Sequence, residues 1–344
     1  MATIAGYQPC DLQSGYALPS STAGSPSEVV AIVDAYDDPN ALSDVNTYRA
    51  TFGLPRLNTS GGPTFRKVDQ TGGANYPGGN TSWAEEISLD LDMVSAVCPN
   101  CSILLVEAAS NSLSDLGTAA RYAGSAPGVV AESNSYGGSE FCYIFSCETQ
   151  FDSDYNHPGV AVTVSSGDSG YGTQYPAASP YVTAVGGTTL TLDTSGQRAS
   201  ETVWSGAGSG CSGVEPQPSW QASVSNIVSV CSRRAVADVS ADADPNTGVA
   251  TYDTYGQGGW VEFGGTSVAS PIVASVYALA GNTASASSYG GTSDAEWVYS
   301  HDTASSVYDV VSGSNGRCGT LLCNGHLGWD GPTGLGAPNG AGGF

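Results

Sequence analysis

The chain has 344 residues, 40% of them hydrophobic, enough for one large α/β domain or two smaller ones. Its 32 acidic residues against 9 basic give a formal charge of -23. That charge argues against nucleic acid and anionic membranes as partners, and no stretch is long and apolar enough to span a bilayer. An acid surplus of this size suits a place where carboxyls are protonated. It equally suits a salt-tolerant secreted protein, and composition alone does not choose.

After a polar, loop-like start, residues 28–34 (Glu-Val-Val-Ala-Ile-Val-Asp) read as a buried parallel strand ending on Asp34. A turn over 37–40 leads to a helix over 41–52, closed by Gly53 and Pro55. Residues 58–80, rich in Gly and Thr, read as loop. A helix follows over 82–97, with Ile87, Leu91 and Val94 on one side. Residues 101–108 form a second buried strand and 114–123 a helix. A third strand starts at Val129 and runs into Ser133-Asn134-Ser135-Tyr136-Gly137-Gly138. A fourth spans 160–166 and ends at Gly167-Asp168-Ser169-Gly170, and a fifth spans 181–186. Strand and helix alternate, which predicts a parallel sheet covered by helices on both faces. With no repeat and no linker, residues 1–344 are expected to be a single domain. Sites in such sheets gather at the carboxyl ends of strands, where Asp34, residues 135–138 and Asp168 all fall.

Nine cysteines include four close pairs in sequence: Cys98 with Cys101, Cys142 with Cys147, Cys211 with Cys231, and Cys318 with Cys323. Cys10 is left over. Short-loop disulfides are expected, and with them an extracellular setting. Cys98-Pro99-Asn100-Cys101 also has the spacing of a redox or metal motif, but no second such pair and no nearby histidine supports that use. Residues 1–6 lack the pattern of a secretory leader, so the expectation is a secreted protein in mature form.

Phe263-Gly264-Gly265-Thr266-Ser267-Val268-Ala269-Ser270-Pro271 is a small, Gly-rich turn. It leads into the apolar stretch 271–280, read as a buried helix that stops at Gly281. Ser267 then sits at a helix entrance, where the first N–H groups lack partners and the dipole favours negative charge. Pro271 is expected within that orphan first turn. A serine there is either a plain cap or a nucleophile, with Gly264 and Gly265 letting a peptide backbone approach.

A nucleophilic serine needs a base. His157 precedes Pro158 in a polar loop, His301 lies beside Asp302, and His326 sits in the Cys-rich C-terminal segment. None occupies a helix entrance. Glu86 and Asp90, four residues apart, share a helix face. Two like charges there leave one carboxyl holding its proton, a coupled pair able to accept and return a proton at low pH. By itself, such a pair is also an ordinary solvated helix face.

The Glu-x-x-x-Asp helix, the Ser-Gly-Asp-Ser-Gly strand end and the Gly-Thr-Ser-x-Ala-Ser-Pro segment occur in that order. Together they resemble the sedolisin family of serine-carboxyl peptidases, over a span from residues 29–34 to Thr333-Gly334-Leu335-Gly336. The resemblance implies a subtilisin-like α/β fold, with a parallel sheet flanked by helices on both faces. It implies an acid-acting endopeptidase that works through an acyl-enzyme on Ser267. Glu86 is then the general base, Asp90 orients and supports it, and Asp168 is the acid of the oxyanion hole. Only a protonated carboxyl can donate to a developing oxyanion.

Ser135, Tyr136 and Gly137 fall on the family's substrate-binding strand and would offer backbone groups to an extended peptide. Some members carry a tryptophan there that links the glutamate to a further acid. This chain has Tyr136, with Asp34 in the place of that acid. Asp309, Val310, His326, Gly328 and Asp330 resemble the family's calcium site, within a C-terminal segment of about 309–330. The two aspartates would give side chains and the other three would give carbonyls. The implied partners are a peptide or protein substrate and the family's own pro-segment before maturation. The expected state is a secreted monomer. Two rivals remain open on the sequence: a subtilisin-type protease using Asp34 with a distant histidine, and a catalytically silent binding protein on the same scaffold.

Overall fold

The computed structural model describes residues 4–144, 146–282 and 294–344; residues 1–3, part of the start read above for a leader, lie outside them. Eight strands build one sheet: Val29–Ala35 (β1), Phe65–Asp69 (β2), Ser102–Ala108 (β3), Val129–Asn134 (β4), Ala161–Ser165 (β5), Thr183–Leu192 (β6), Arg198–Val203 (β7) and Val239–Asp242 (β8). Their order is β2-β3-β1-β4-β5-β6-β7, with β8 beside β6. Every pairing is parallel except β6 with β7.

The helices are Pro9–Gly15 (α1), Ala41–Thr51 (α2), Thr81–Val97 (α3), Leu113–Ser125 (α4), Ser225–Val230 (α5), Thr266–Ala280 (α6) and Ala295–His301 (α7). Val30, Ile32, Ile103 and Leu105 face one way and pack with α3 and α6. Ala31, Val33, Leu104 and Val106 face the other way and pack with Leu116, Ala119 and Ala123 of α4. Continuous apolar runs are what strands covered on both faces require. Each fully buried branched side chain contributes roughly 1.5–3 kcal/mol, so the two layers fix the register on which the site depends.

Four differences from the sequence reading have local causes. The start is not all loop: α1 forms with Pro9 in its first turn and Asp11 accepting from the Gln8 N–H. The Gly/Thr-rich 58–80 stretch contains β2, an edge strand paired to β3. β6 continues to Leu192, past the expected end at residue 186, because β7 extends its pairing. Helix α6 begins at Thr266, so Pro271 lies inside it rather than in its first turn.

The four short-range cysteine pairs are disulfides. Cys10 is free and exposed.

Candidate active site

Helix α3 brings the first acids to the centre. Asn80 caps it by accepting from the Trp83 N–H at 3.2 Å. The helix packs so deeply that Ser88, Asp90 and Asp92 are buried along with its apolar side. Asp90 is therefore no solvated surface acid: it is 0% exposed. Its two carboxyl oxygens accept from the Ser135 hydroxyl, each at 2.9 Å. Burial pushes the Asp90 carboxyl well above the usual range and Glu86 raises it further, while the Ser135 bond opposes both.

Asp34 ends β1 in the same core, also 0% exposed, with neither carboxyl oxygen given a donor. Burial raises it well above the ordinary value, with Asp90, Glu86 and Glu107 adding to the rise. Glu107 is its register partner across β1 and β3, so the two acids share one face of the sheet. Glu107 is pushed up to about 8, first by burial, and Lys67 Nζ lies 3.4 Å from its Oε1. The sequence reading missed Glu107. The available signal was that each of these two strands carries an acid one residue before its end.

Glu86 sits between these acids and the serine. Burial raises it to about 8, the Ser267 side chain lowers it, and the charges of Asp168 and Glu85 raise it again. Its Oε1 is buried without a donor at hydrogen-bonding geometry. Contacts of this kind tighten when substrate enters.

Ser267 is half-buried, the second residue of α6. It is not the cap, since Gly265 holds that position at φ 110° and no side chain caps the helix. The glycines also differ from expectation, because protein groups fill the space beside them. A Cβ on Gly265 would lie 2.8 Å from Asp168 Oδ2, and one on Gly264 would lie 2.5 Å from Pro245 N. Asp168 Oδ1 accepts from the Thr266 N–H and hydroxyl, both at 2.8 Å. The Gly167 N–H in turn donates to Thr266 Oγ1 at 3.0 Å. The end of β5 and the start of α6 are thereby tied together, with the second oxygen of Asp168 left beside Gly265.

A cavity of about 310 Å³ opens beside Glu86, lined by Ser82, Trp83, Glu86, Ser135, Tyr136 and Gly137. Tyr136 donates to Asn134 Oδ1 at 2.7 Å, with the Tyr155 hydroxyl 3.4 Å away. The Tyr136 hydroxyl is thus committed to the α4 side of the sheet, and Asp34 couples to Asp90 and Glu86 without it. The three histidines serve their own segments. His157 Nε2 pairs with Asp154 O, His301 Nδ1 with Trp297 O, and His326 Nδ1 with Leu327 O.

At the C-terminal end, the Gly328 N–H donates to Asp309 Oδ2 and the His326 N–H to Asp330 Oδ2, each at 2.8 Å. Asp330 Oδ1 accepts from the N–H and hydroxyl of Thr333. Asp309 Oδ1 is buried with no donor. Val310, beside it, is buried. Burial raises Asp330 to about 8, with Asp309 adding to the rise. A pair of acids facing each other, one with an orphan oxygen, fits a hard cation. Among the described residues no three Asp, Glu, His or Cys side chains converge as metal ligands, so carbonyls would have to complete the set.

Comparison with known proteins bears on the family and the fold. The profile of the Subtilase family matches residues 70–305. Sedolisin of Pseudomonas sp. (strain 101) is 38% identical over 203 residues, 52% of this chain and 33% of that protein. Kumamolisin of Bacillus sp. (strain MN-32) is 29% identical over 370 residues, covering 98% of this chain and 63% of that protein. The chain thus spans less than two thirds of the length of these curated relatives. Pseudomonas sedolisin, a serine-carboxyl proteinase solved with two molecules of pseudo-iodotyrostatin, superposes with a TM-score of 0.79. That match is at 29% identity and covers 98% of this chain and 96% of the other. With its subtilisin-like sheet and its serine beside buried carboxyls, this chain belongs to the subtilase family, on the sedolisin branch.

Proposed function

We propose that the chain is a serine-carboxyl endopeptidase that cleaves peptide bonds through an acyl-enzyme on Ser267. What supports the reading is that the Ser267 side chain favours the charged form of Glu86, while Glu86 in turn raises the buried Asp90 and Asp34. As Ser267 Oγ attacks the scissile carbonyl, Glu86 takes its proton, and Asp90 stabilises the proton on that pair. Asp168 donates from Oδ2 to the oxyanion in its protonated form. Collapse breaks the C–N bond, the amine leaves with the proton from Glu86, and water reverses the sequence. Ser135, Tyr136 and Gly137 hold the peptide along the cavity as an added strand.

A base raised to about 8 would by itself favour activity at and above that pH, where it is ionised. The acid-side reading rests on the resemblance to the serine-carboxyl peptidases. Glu86, Asp90 and Asp34 lose protons in macroscopic steps, and the first leaves at lower pH than the last. That first charge settles on Glu86, where the Ser267 hydroxyl favours it.

Calcium is proposed on Asp309 and Asp330, with the carbonyls of Val310, His326 and Gly328, where it would hold distant loops together. Secretion as a monomer, after help from a pro-segment, completes the proposal. Four disulfides support an oxidising compartment. A peptide-aldehyde probe tests the core of the reading, since its carbonyl adds to an activated serine. The parent should be labelled and Ser267→Ala should not, with the fold intact in both. Equal labelling of the two would remove Ser267 as nucleophile, and no labelling of the parent would favour the silent binding protein.

A further inference from the structure

A second group of acids lies outside the catalytic set. Glu148 and Glu215 are 0% exposed and Asp152 is 9% exposed, while Glu140 is half-buried. Both oxygens of Glu215 and Oε1 of Glu148 are buried without a donor. Asp152 and Glu148 bear on Glu215, and Glu140 and Asp152 bear on Glu148, each neighbouring acid disfavouring a charge there. A carboxylate charge buried with no donor and beside other acids is disfavoured, so Glu148 and Glu215 keep their protons.

Among the described residues nothing charged offsets the group from the packed elements. Arg121, from α4, pairs with Asp154. Arg234 pairs with Asp238, and Arg233 donates to Val214 O. Tyr175 donates its hydroxyl to Asp152 Oδ1 at 3.1 Å, and Ser179 does so at 2.8 Å. Tyr155 packs its ring on Tyr175. Among the described residues no ion pair involves any of the four acids.

The group stands behind one wall of the peptide cavity. Gly138 and Ser139 pair with Tyr175 and Gln174, and the Gln174 side chain packs against Gly137 and Gly167. Glu140 follows that short strand and is held by Thr173, Ser212 and the Gly213 N–H. The Phe141 N–H donates to Glu148 at 2.5 Å, and Tyr175 is held by Asp152. Both strands of the wall therefore hang on the acid group.

We propose that Glu140, Glu148, Asp152 and Glu215 form a latch that stays closed while Glu148 and Glu215 keep their protons, which fixes the Gly137–Gln174 wall of the peptide channel and releases it on deprotonation. The inference rests on the peptidase reading only for the name of the channel. Burial raises Glu148 to about 7 and Glu215 to about 8, with neighbouring acids adding to each. Burial also raises Asp152. The folded state therefore holds these protons more tightly than the unfolded chain. The latch is closed below the ordinary carboxyl range and is lost as pH rises through about 7 and about 8.

The test is hydrogen exchange of residues 138–143 between about pH 5 and about pH 9, corrected for intrinsic rates. It is run in the Ser267→Ala background, so it stands even if no peptidase activity exists. Protection in that protein should fall from about pH 5 to about pH 8, approaching about tenfold per pH unit for each proton held, and level off above that. Adding Glu148→Gln and Glu215→Gln mimics the protonated acids at every pH, so protection should persist. Asp152→Asn alone is the second variant and should move the loss to lower pH, because the Asp152 charge no longer raises Glu215. With Ser267 restored, KM should rise with pH in the parent and stay flat in the double variant, with kcat following the same profile in both. Flat protection in the Ser267→Ala protein, or the same loss with and without the glutamines, would overturn the latch. Recovery of protection on adding calcium at high pH in an Asp330→Ala background, which lacks the proposed C-terminal site, would also overturn it and make the group a cation site.

Discussion

At the scale of single residues, the site is an arrangement of acids made unusual by where they are buried. Glu86 and Asp90 have the spacing of any exposed helical pair, and only packing of α3 against α6 and the sheet turns them into a proton-holding set. The residue types were legible in the sequence, and so was their order. Their protonation was not, because it depends on lost solvent and on Asp34 approaching from another element. Asp168 is the separable member. It lies at an exposed strand end with one oxygen bound to Thr266, and its charge raises Glu86. Asp168→Asn gives a donor at every pH. That variant should turn over more slowly at its best pH, about 10-fold or more for a weakened oxyanion donor. It should fade less as pH rises, as read from kcat against pH. A variant whose alkaline limb matches the parent's would remove Asp168 from that limb.

At the scale of elements, α6 shows why its boundaries were misread. The apolar run from Pro271 suggested a helix beginning there, since proline favours the first turn. The helix instead starts at Thr266, and Pro271 omits the N–H that would have bonded the Ser267 carbonyl one turn back. That carbonyl lies 3.4 Å from the Ser135 hydroxyl, which also serves Asp90. Ser135 was expected to offer only backbone to a peptide. Its side chain joins the end of β4 to α3 and α6 behind the nucleophile. Ser135→Ala should lower kcat more than it changes KM, because the lost hydroxyl faces Asp90 and not the peptide. It should cost about 1–3 kcal/mol of stability, measured by denaturant unfolding. A rise in KM at unchanged kcat would mean the hydroxyl acts on substrate. The strands with continuous apolar runs were read correctly for a related reason: burial on both faces leaves a signal that survives without tertiary context. β2, an edge strand in a Gly/Thr-rich stretch, leaves none.

At the scale of the whole molecule, the formal charge of -23 overstates what the fold carries near neutrality, because many acids are buried. Glu107, Glu132, Glu215 and Asp330 are raised to about 8 and Asp294 to about 7, each first by burial. For all of these the folded state binds the proton more tightly than the unfolded chain. Stability is therefore fullest below the ordinary carboxyl range and falls as pH rises through about 7 and about 8. The melting temperature should be higher near pH 4 than near pH 8. A chelator should lower it most at the higher pH, where Asp330 is free to ionise and bind calcium. Asp330 also bonds to His326 and Thr333, so Asp330→Ala should lower stability with or without metal. The calcium response, not the melting temperature alone, reports the site. A melting temperature that climbs with pH would contradict this account of the buried acids.

The central claim is that a carboxylate and no histidine activates Ser267. It is tested most directly by kcat/KM for peptide cleavage against pH, in the parent, Glu86→Gln, His157→Gln and His301→Gln. The account predicts a bell on the acid side of neutrality for the parent, the same bell for both histidine variants, and near-complete loss in Glu86→Gln at every pH. A parent most active well above neutrality, with one limb removed by either histidine substitution, would contradict it.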